Sequence, residues 1–119
     1  MGGGIDMSKD ERQFLLTTAW MFMRHGQRPR ALAVCEALVE DDPRSGVSAV
    51  ALAELLLDAG QSRRALEVLH AADMPESLAH VSAVLETRAL SMQGRMAEST
   101  ARWRRYLESR KGAERKWAG

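Results

Sequence analysis

The side chains with the clearest binding chemistry in this sequence are apolar, and they recur along the chain at one interval. Their types suit burial against another protein, because contiguous exposed apolar patches usually mark interaction sites. The predicted partner-binding residues are Leu16, Trp20, Met23, Val47, Val50, Glu54, Leu57, Val81, Val84 and Arg88. Such a set predicts a groove that takes an amphipathic helix or an extended apolar segment. The alternative is that the same stripe forms the core of a closed six-helix bundle.

Within this set, two side chains are the expected anchors and the charged ones set orientation. Trp20 is large and rigid and Met23 is adaptable, so both gain from burial under a partner. Glu54 and Arg88 are expected to fix the register of the partner more than its affinity. The sequence predicts that Trp20→Ala or Leu57→Arg abolishes partner binding and leaves the helical fold largely intact.

Residues that could serve catalysis or metal binding are few and scattered. His25, His70 and His80 are isolated from one another and from Cys35, without the spacing of a metal site. Cys35 occupies a large-apolar position, which predicts a small buried hydrophobic side chain rather than a nucleophile. The sequence contains no glycine-rich phosphate loop, catalytic carboxylate pair or nucleophile motif. We therefore expect no enzyme activity, no metal and no cofactor.

Three glycines mark the elements that must position these residues. Gly26, Gly60 and Gly94 are 34 residues apart, and similar text surrounds each of them. A period of about 34 residues predicts helix-turn-helix repeats that stack on one another. We expect a single domain over residues 8–111, with repeats at approximately 12–45, 46–79 and 80–113, between flexible ends at 1–7 and 112–119.

The fold class predicted from this period is all-α, with six helices in three hairpins stacked in a short right-handed superhelix. Ser8 and Glu11 predict a capping box at the start of the first helix. That helix should bury an apolar face made of Phe14, Leu15, Thr18, Ala19, Phe22 and Met23. The six helices are expected to end near His25, Asp41, Ala59, Ala72, Gln93 and Arg110. Close helix crossings are expected at the small residues Ala19, Ala53, Thr87, Ala31, Ala65 and Ser99.

Composition restricts the class of protein further. The formal net charge is +1 over 119 residues, so no global field favours nucleic acid or a membrane. Neither a signal peptide nor a bilayer-spanning stretch is recognisable, which predicts a soluble, cytoplasmic protein without membrane insertion. Residues 94–119 hold eight Lys/Arg and three Asp/Glu. A solvated basic face is the favoured interpretation of this segment, then contact with an acidic patch on a protein. Nucleic acid is not expected as a partner.

The pattern Gly-x4-Ala resembles that of tetratricopeptide repeats. It is complete after Gly26 and Gly60 and degenerate after Gly94, where Ser99 replaces alanine. The resemblance covers about residues 12–113. It implies that the first helix of each hairpin lines a concave groove, and the predicted partner-binding residues are those that helical phase then places on this face. Members that clamp a terminal carboxylate present lysine and asparagine where this chain has Leu16, Trp20 and Val47, so that activity is not expected.

Within that family, the chain resembles the small three-repeat chaperones of bacterial type III secretion, and most of all the YscY (SctY) group. The stretches Gln13–Trp20 and Tyr106–Glu108, in a chain of this length, carry the resemblance. It implies a bacterial, cytoplasmic chaperone that holds a small early export component, the YscX/SctX partner, and delivers it to the export gate. The alternatives are a generic tetratricopeptide adaptor and a chaperone of a needle or translocator subunit. Self-association through the uncapped last hairpin is a further option when the partner is absent.

Overall fold

Six α-helices make up the described part of the chain, residues 7–118 of a computed structural model, with side chains described as far as residue 113. The helices are α1 (Lys9–Arg24), α2 (Arg28–Asp41), α3 (Gly46–Asp58), α4 (Ser62–Ala71), α5 (Ala79–Met92) and α6 (Met96–Ala118). A short 3₁₀ turn, Glu76–Leu78, precedes α5. Successive helices pack as hairpins: α1 with α2, α3 with α4, and α5 with α6. The predicted all-α architecture of three stacked hairpins is confirmed.

Each hairpin turn is closed by the same backbone motif. Gly26, Gly60 and Gly94 have φ angles of 72°, 79° and 75°, in the left-handed region that glycine adopts without strain. In each turn, the residue after the glycine donates its N–H to the carbonyl five residues earlier, at 2.8 to 2.9 Å. This is the Schellman motif that ends helices. The 34-residue interval in the sequence is therefore the interval between three helix C-terminal caps.

Side-chain caps fix the starts of α1 and α3. Ser8 Oγ accepts the N–H of Glu11 at 3.2 Å, and the Glu11 carboxylate accepts the N–H of Ser8 at 3.3 Å. This is the predicted capping box. At α3, Ser45 Oγ accepts the N–H of Ser48 at 3.3 Å. A side-chain cap of this kind contributes about 1 kcal/mol to the stability of a helix. Interactions between residues close together in the chain therefore fix where α1 and α3 begin.

More than half of the buried apolar side chains described lie in the central hairpin, and all of these are leucine or alanine. Leu52 and Leu56 of α3 are fully buried, and the predicted crossing residues Ala19, Ala31, Ala53, Ala65 and Ser99 are all buried as well. In the third hairpin, the Ser99 hydroxyl donates to the carbonyl of Thr87 at 2.9 Å. A buried hydroxyl without a partner is costly, so this bond explains how serine replaces alanine at that crossing.

Two expectations about helix faces and ends were wrong. Phe14 is 70% exposed, because it lies about 140° around α1 from the buried Ala19, at 100° per residue. It therefore faces away from the core, on the outer side of the first hairpin. The last helix does not end near Arg110 but continues to Ala118, so residues 112–118 are helical.

The predicted flexible N-terminus lies outside the described residues, apart from Met7. The backbone N–H of Met7 donates to the Asp41 carboxylate at 3.1 Å, and the Arg12 guanidinium contacts the same carboxylate. The start of α1 is thus held against the end of α2.

The two linkers between hairpins are joined to each other. Arg44 donates to the Asp73 carboxylate through Nε at 2.8 Å and Nη2 at 3.0 Å, and these hydrogen bonds chiefly lower the pKa of Asp73. A Cβ on Gly46 would lie 2.7 Å from Pro75 Cδ and 2.9 Å from the Asp73 carbonyl oxygen. The start of α3 is therefore packed tightly against the segment that leads into α5.

Candidate protein-binding groove

The first helices of the first two hairpins line an open depression of about 340 Å³, which we call the groove. Its lining residues are Gln13, Leu16, Thr17, Ala19, Trp20 and Met23 of α1 with Val47 and Ala51 of α3. Six of these eight residues are apolar. Concave, mostly apolar sites with a few polar groups are the usual form of a binding site.

Large side chains form the rims of the groove and small ones form its floor. Trp20 is 57% exposed on α1 and Val47 is 51% exposed on α3. Between them, Ala19 is 2% exposed. The Arg24 guanidinium lies 4.8 Å from the centroid of the Trp20 ring, a cation–π distance that restrains the indole. The groove thus presents a large apolar surface to solvent in a fixed arrangement.

The structure brings together four of the ten residues predicted to bind a partner. Leu16, Trp20, Met23 and Val47 all line the groove. Sequence reasoning missed Thr17 and Ala51 as lining residues. The signal for both was available, because residues four apart share a helix face, and these two follow Gln13 and Val47 at that spacing.

The remaining predicted residues of α3 do not line the groove. Leu57 is only 2% exposed, so the expectation that it lines an open groove is wrong. It lies about 80° around α3 from Val47, within the apolar core cluster. Val50 is partly buried against the same cluster, and Glu54 is exposed.

None of the predicted residues of α5 lines the groove. Val81 is partly buried against the core, and Val84 is 40% exposed. Arg88 donates through Nη2 to the Asp58 carboxylate at 3.0 Å. That carboxylate also contacts the guanidinium of Arg28 at the start of α2. Asp58 of the second hairpin thus contacts Arg28 of the first and Arg88 of the third. The charge of Arg88 is therefore paired within the fold.

The positions of Cys35 and His25 are explained by the packing and the capping of the helices. Cys35 is fully buried, and burial, with a smaller effect of Glu36, raises the pKa of its thiol to about 11. The prediction that Cys35 is buried is confirmed. His25 is the C-cap residue of α1, as expected. Within residues 7–113, no group of three or more His, Cys, Asp or Glu residues is arranged to hold a metal ion.

Trp103 and Tyr106 of α6 pack against α5. The rings of Trp103 and Tyr106 contact the ring of His80 edge-on, with centroids at 6.0 and 5.6 Å. Leu107 differs, because it is 40% exposed. Among the basic residues of α6 whose side chains are described, Arg102 contacts Glu86 on α5 at 2.8 Å, and the others are exposed.

The family assignment follows from the repeated caps, the stacked hairpins and a sequence comparison. The family model of the tetratricopeptide repeat matches residues 22–86, which is more than half of the chain. The chain belongs to the tetratricopeptide repeat family. A comparison with curated proteins found no match. In this tetratricopeptide repeat protein, no helix of the described residues is long and apolar enough to cross a membrane.

Proposed function

We propose that this tetratricopeptide repeat protein is a non-enzymatic binding module whose groove holds an amphipathic helix or apolar segment of another protein. The observation that carries the proposal is the exposed pair Trp20 and Val47 on either side of a floor of small side chains. The family is typically one of protein–protein interaction and is typically without enzyme activity, which agrees with this use of the groove.

Trp20 is expected to contribute most of the binding free energy of the groove. Aromatic side chains bury about 150–250 Å², and more than half of the Trp20 side chain is exposed. At about 25 cal/mol per Å², covering it contributes roughly 3 kcal/mol before the costs of ordering are subtracted. Leu16, Met23 and Val47 add smaller areas. Burial of this size is enough to make Trp20 the principal anchor of the groove.

We further propose that the bound segment belongs to a small early component of type III secretion, of the YscX/SctX kind. The support is the resemblance of Gln13–Trp20 and Tyr106–Glu108 to the YscY (SctY) group. The first of these stretches also supplies most of the α1 side of the groove. The protein would then act as a cytoplasmic chaperone that keeps this component soluble and delivers it to the export gate. A generic adaptor, or a chaperone of a needle or translocator subunit, would use the same groove.

The test of the groove is a matched pair of substitutions on α1. Trp20→Ala should remove most of the binding to a coexpressed YscX/SctX-type protein, by roughly a hundredfold for a loss of about 3 kcal/mol. Phe14→Ala removes a side chain that is even more exposed but lies outside the groove, and it should bind like the wild type. Copurification and calorimetry measure both effects.

The outcomes separate the two levels of the proposal. Wild-type binding of Trp20→Ala, or an equal loss in Phe14→Ala, contradicts the groove as the site. If the wild-type protein forms no complex with any YscX/SctX-type protein, the secretion assignment fails. The groove is then tested with the small protein encoded beside this chain's own gene, using the same pair of variants.

A further inference from the structure

We propose that α4, α5 and α6 form a second docking surface, which binds an acidic segment of a protein partner. We call this surface the basic trough. It consists of two adjoining depressions that share His70, Glu86, Arg102 and Arg105. The groove is lined by α1 and α3 alone, so the two surfaces have no lining residue in common. This inference goes beyond the proposed function, because it adds a partner surface of different chemistry.

The charges along the trough leave an excess of positive charge. Arg95 is paired with Glu98 through two short contacts of 2.6 and 2.8 Å, so that pair is neutral. The Glu86 carboxylate accepts from Arg102 at 2.8 Å and lies 3.6 Å from His70 Nε2. Arg105 is exposed and has no carboxylate within ion-pair distance in the described part of the chain. A ligand that supplies carboxylates would therefore complete the pairing.

Arg102 is held ready for such a ligand. It and Glu86 are mostly buried, with side chains 18% and 13% exposed. Glu86 accepts a hydrogen bond from the Nε of Arg102, which restrains the guanidinium. A guanidinium fixed in this way matches a second carboxylate at low entropic cost.

The shape of the trough favours a chain segment over a small anion. Its lining runs from Arg95, the residue before α6, along that helix to Ser109. At 1.5 Å per residue this is a length of about 20 Å. Leu66 and Leu90 form an apolar part of the wall, against which the stems of a peptide's side chains can pack.

The same lining disfavours nucleic acid. The aromatic rings of Trp103 and Tyr106 are packed against His80, so they are not arranged as a platform on which bases stack.

The test measures how tightly a fluorescent oligoglutamate peptide binds to variants of two neighbouring arginines. Arg105→Glu reverses a charge that lines the trough, whereas Arg104→Glu makes the same change one residue away, at an exposed position outside the lining. Measured by anisotropy at low salt, Arg105→Glu should weaken binding at least about tenfold. Arg104→Glu should change it by no more than about twofold. Trp20→Ala should bind the peptide like the wild type.

Four results would overturn the proposal. They are the absence of measurable oligoglutamate binding, an equal loss in Arg104→Glu and Arg105→Glu, a loss in Trp20→Ala, and tighter binding of oligothymidylate than of oligoglutamate at matched charge. The second result would show a diffuse electrostatic attraction, and the last would show a nucleic-acid surface. Circular dichroism of both arginine variants verifies that the comparison is made between folded proteins.

Discussion

The first helices of the three hairpins are equivalent by sequence period, but they meet in two different ways. Between α1 and α3 the surface is open, with few close backbone contacts, and this opening is the groove. Between α3 and α5 the helices pack directly against each other. The repeat therefore determines the order of the helices, whereas individual side chains determine whether neighbouring helices pack directly against each other.

Side-chain size accounts for much of the difference. At the open junction, the residues between the helices include Ala19 and Ala51, which are too small to fill the space. On the two helices of the closed junction, Leu57 of α3 and Leu85 of α5 are 2% and 4% exposed, and both belong to the apolar core cluster. The ion pair between Asp58 and Arg88 adds a polar contact across the same junction.

The largest effect is expected from a charge placed in the closed junction. Leu57→Arg buries an unpaired cation in an apolar cluster, and we expect it to reduce the free energy of unfolding by about 4 kcal/mol or to prevent folding. Val84→Arg, on the exposed face of α5, should change it by less than about 0.5 kcal/mol. Chemical denaturation followed by circular dichroism measures both variants.

This expectation replaces the sequence-based one for Leu57, which foresaw loss of partner binding in an intact fold. If Leu57→Arg unfolds at the wild-type denaturant concentration, burial of Leu57 does not stabilise the packing of α3, and the closed junction does not depend on it. Val84→Arg shows how much of any loss comes from the arginine itself.

The turns and the buried small residues could be predicted from the sequence because they obey local rules. A left-handed backbone position selects glycine at Gly26, Gly60 and Gly94, and helix crossings select small side chains such as Ala53 and Ala65. The positions of Leu16, Trp20 and Met23 in the groove follow from helical phase in the same way. These features depend on residues close together in the chain.

The closure of one junction and the extension of α6 could not be predicted by such rules. Leu57 and Val47 are both apolar residues of α3, and only the packing of other helices around α3 buries the first and leaves the second exposed. Gly112 suggests the end of a helix, because glycine inside a helix costs about 1 kcal/mol. In the structure, α6 nonetheless continues through Gly112 to Ala118.

A smaller effect is expected where the linker before α5 meets the start of α3. Gly46→Ala places a methyl group 2.7 Å from Pro75 Cδ and 2.9 Å from the Asp73 carbonyl oxygen. The linker must shift, and overpacking of this kind costs about 1–3 kcal/mol. We expect the midpoint of thermal unfolding to fall accordingly and the closed junction to loosen first.

The matched control is the same substitution in α6. A Cβ on Gly112 meets no atom within 4 Å, so Gly112→Ala should stabilise the helix by about 0.5–1 kcal/mol. The two variants should therefore move the melting temperature in opposite directions. Stabilisation by Gly46→Ala would mean that the linker does not press on the start of α3.

The smallest effect is expected from the ion pair that spans the closed junction. Single replacement of Asp58 is ambiguous, because this carboxylate lies at the C-terminal end of α3, where a negative charge is opposed by the helix dipole. A double-mutant cycle with Asp58→Asn and Arg88→Met removes that ambiguity, since the dipole contribution is present in both legs. We expect a coupling free energy of about 0.5 kcal/mol at low salt, typical of exposed pairs.

The control cycle replaces Asp58→Asn with Glu54→Gln, one turn earlier on α3, and its coupling to Arg88→Met should be close to zero. Salt sharpens the comparison, because at about 1 M ionic strength charges farther apart than roughly 3 Å are largely screened. The coupling between Asp58 and Arg88 should then fall while the effect of Leu57→Arg persists. If the coupling free energy does not change with salt, it comes from packing of the apolar part of the Arg88 side chain and not from the ion pair. Apolar contact alone would then hold this junction closed.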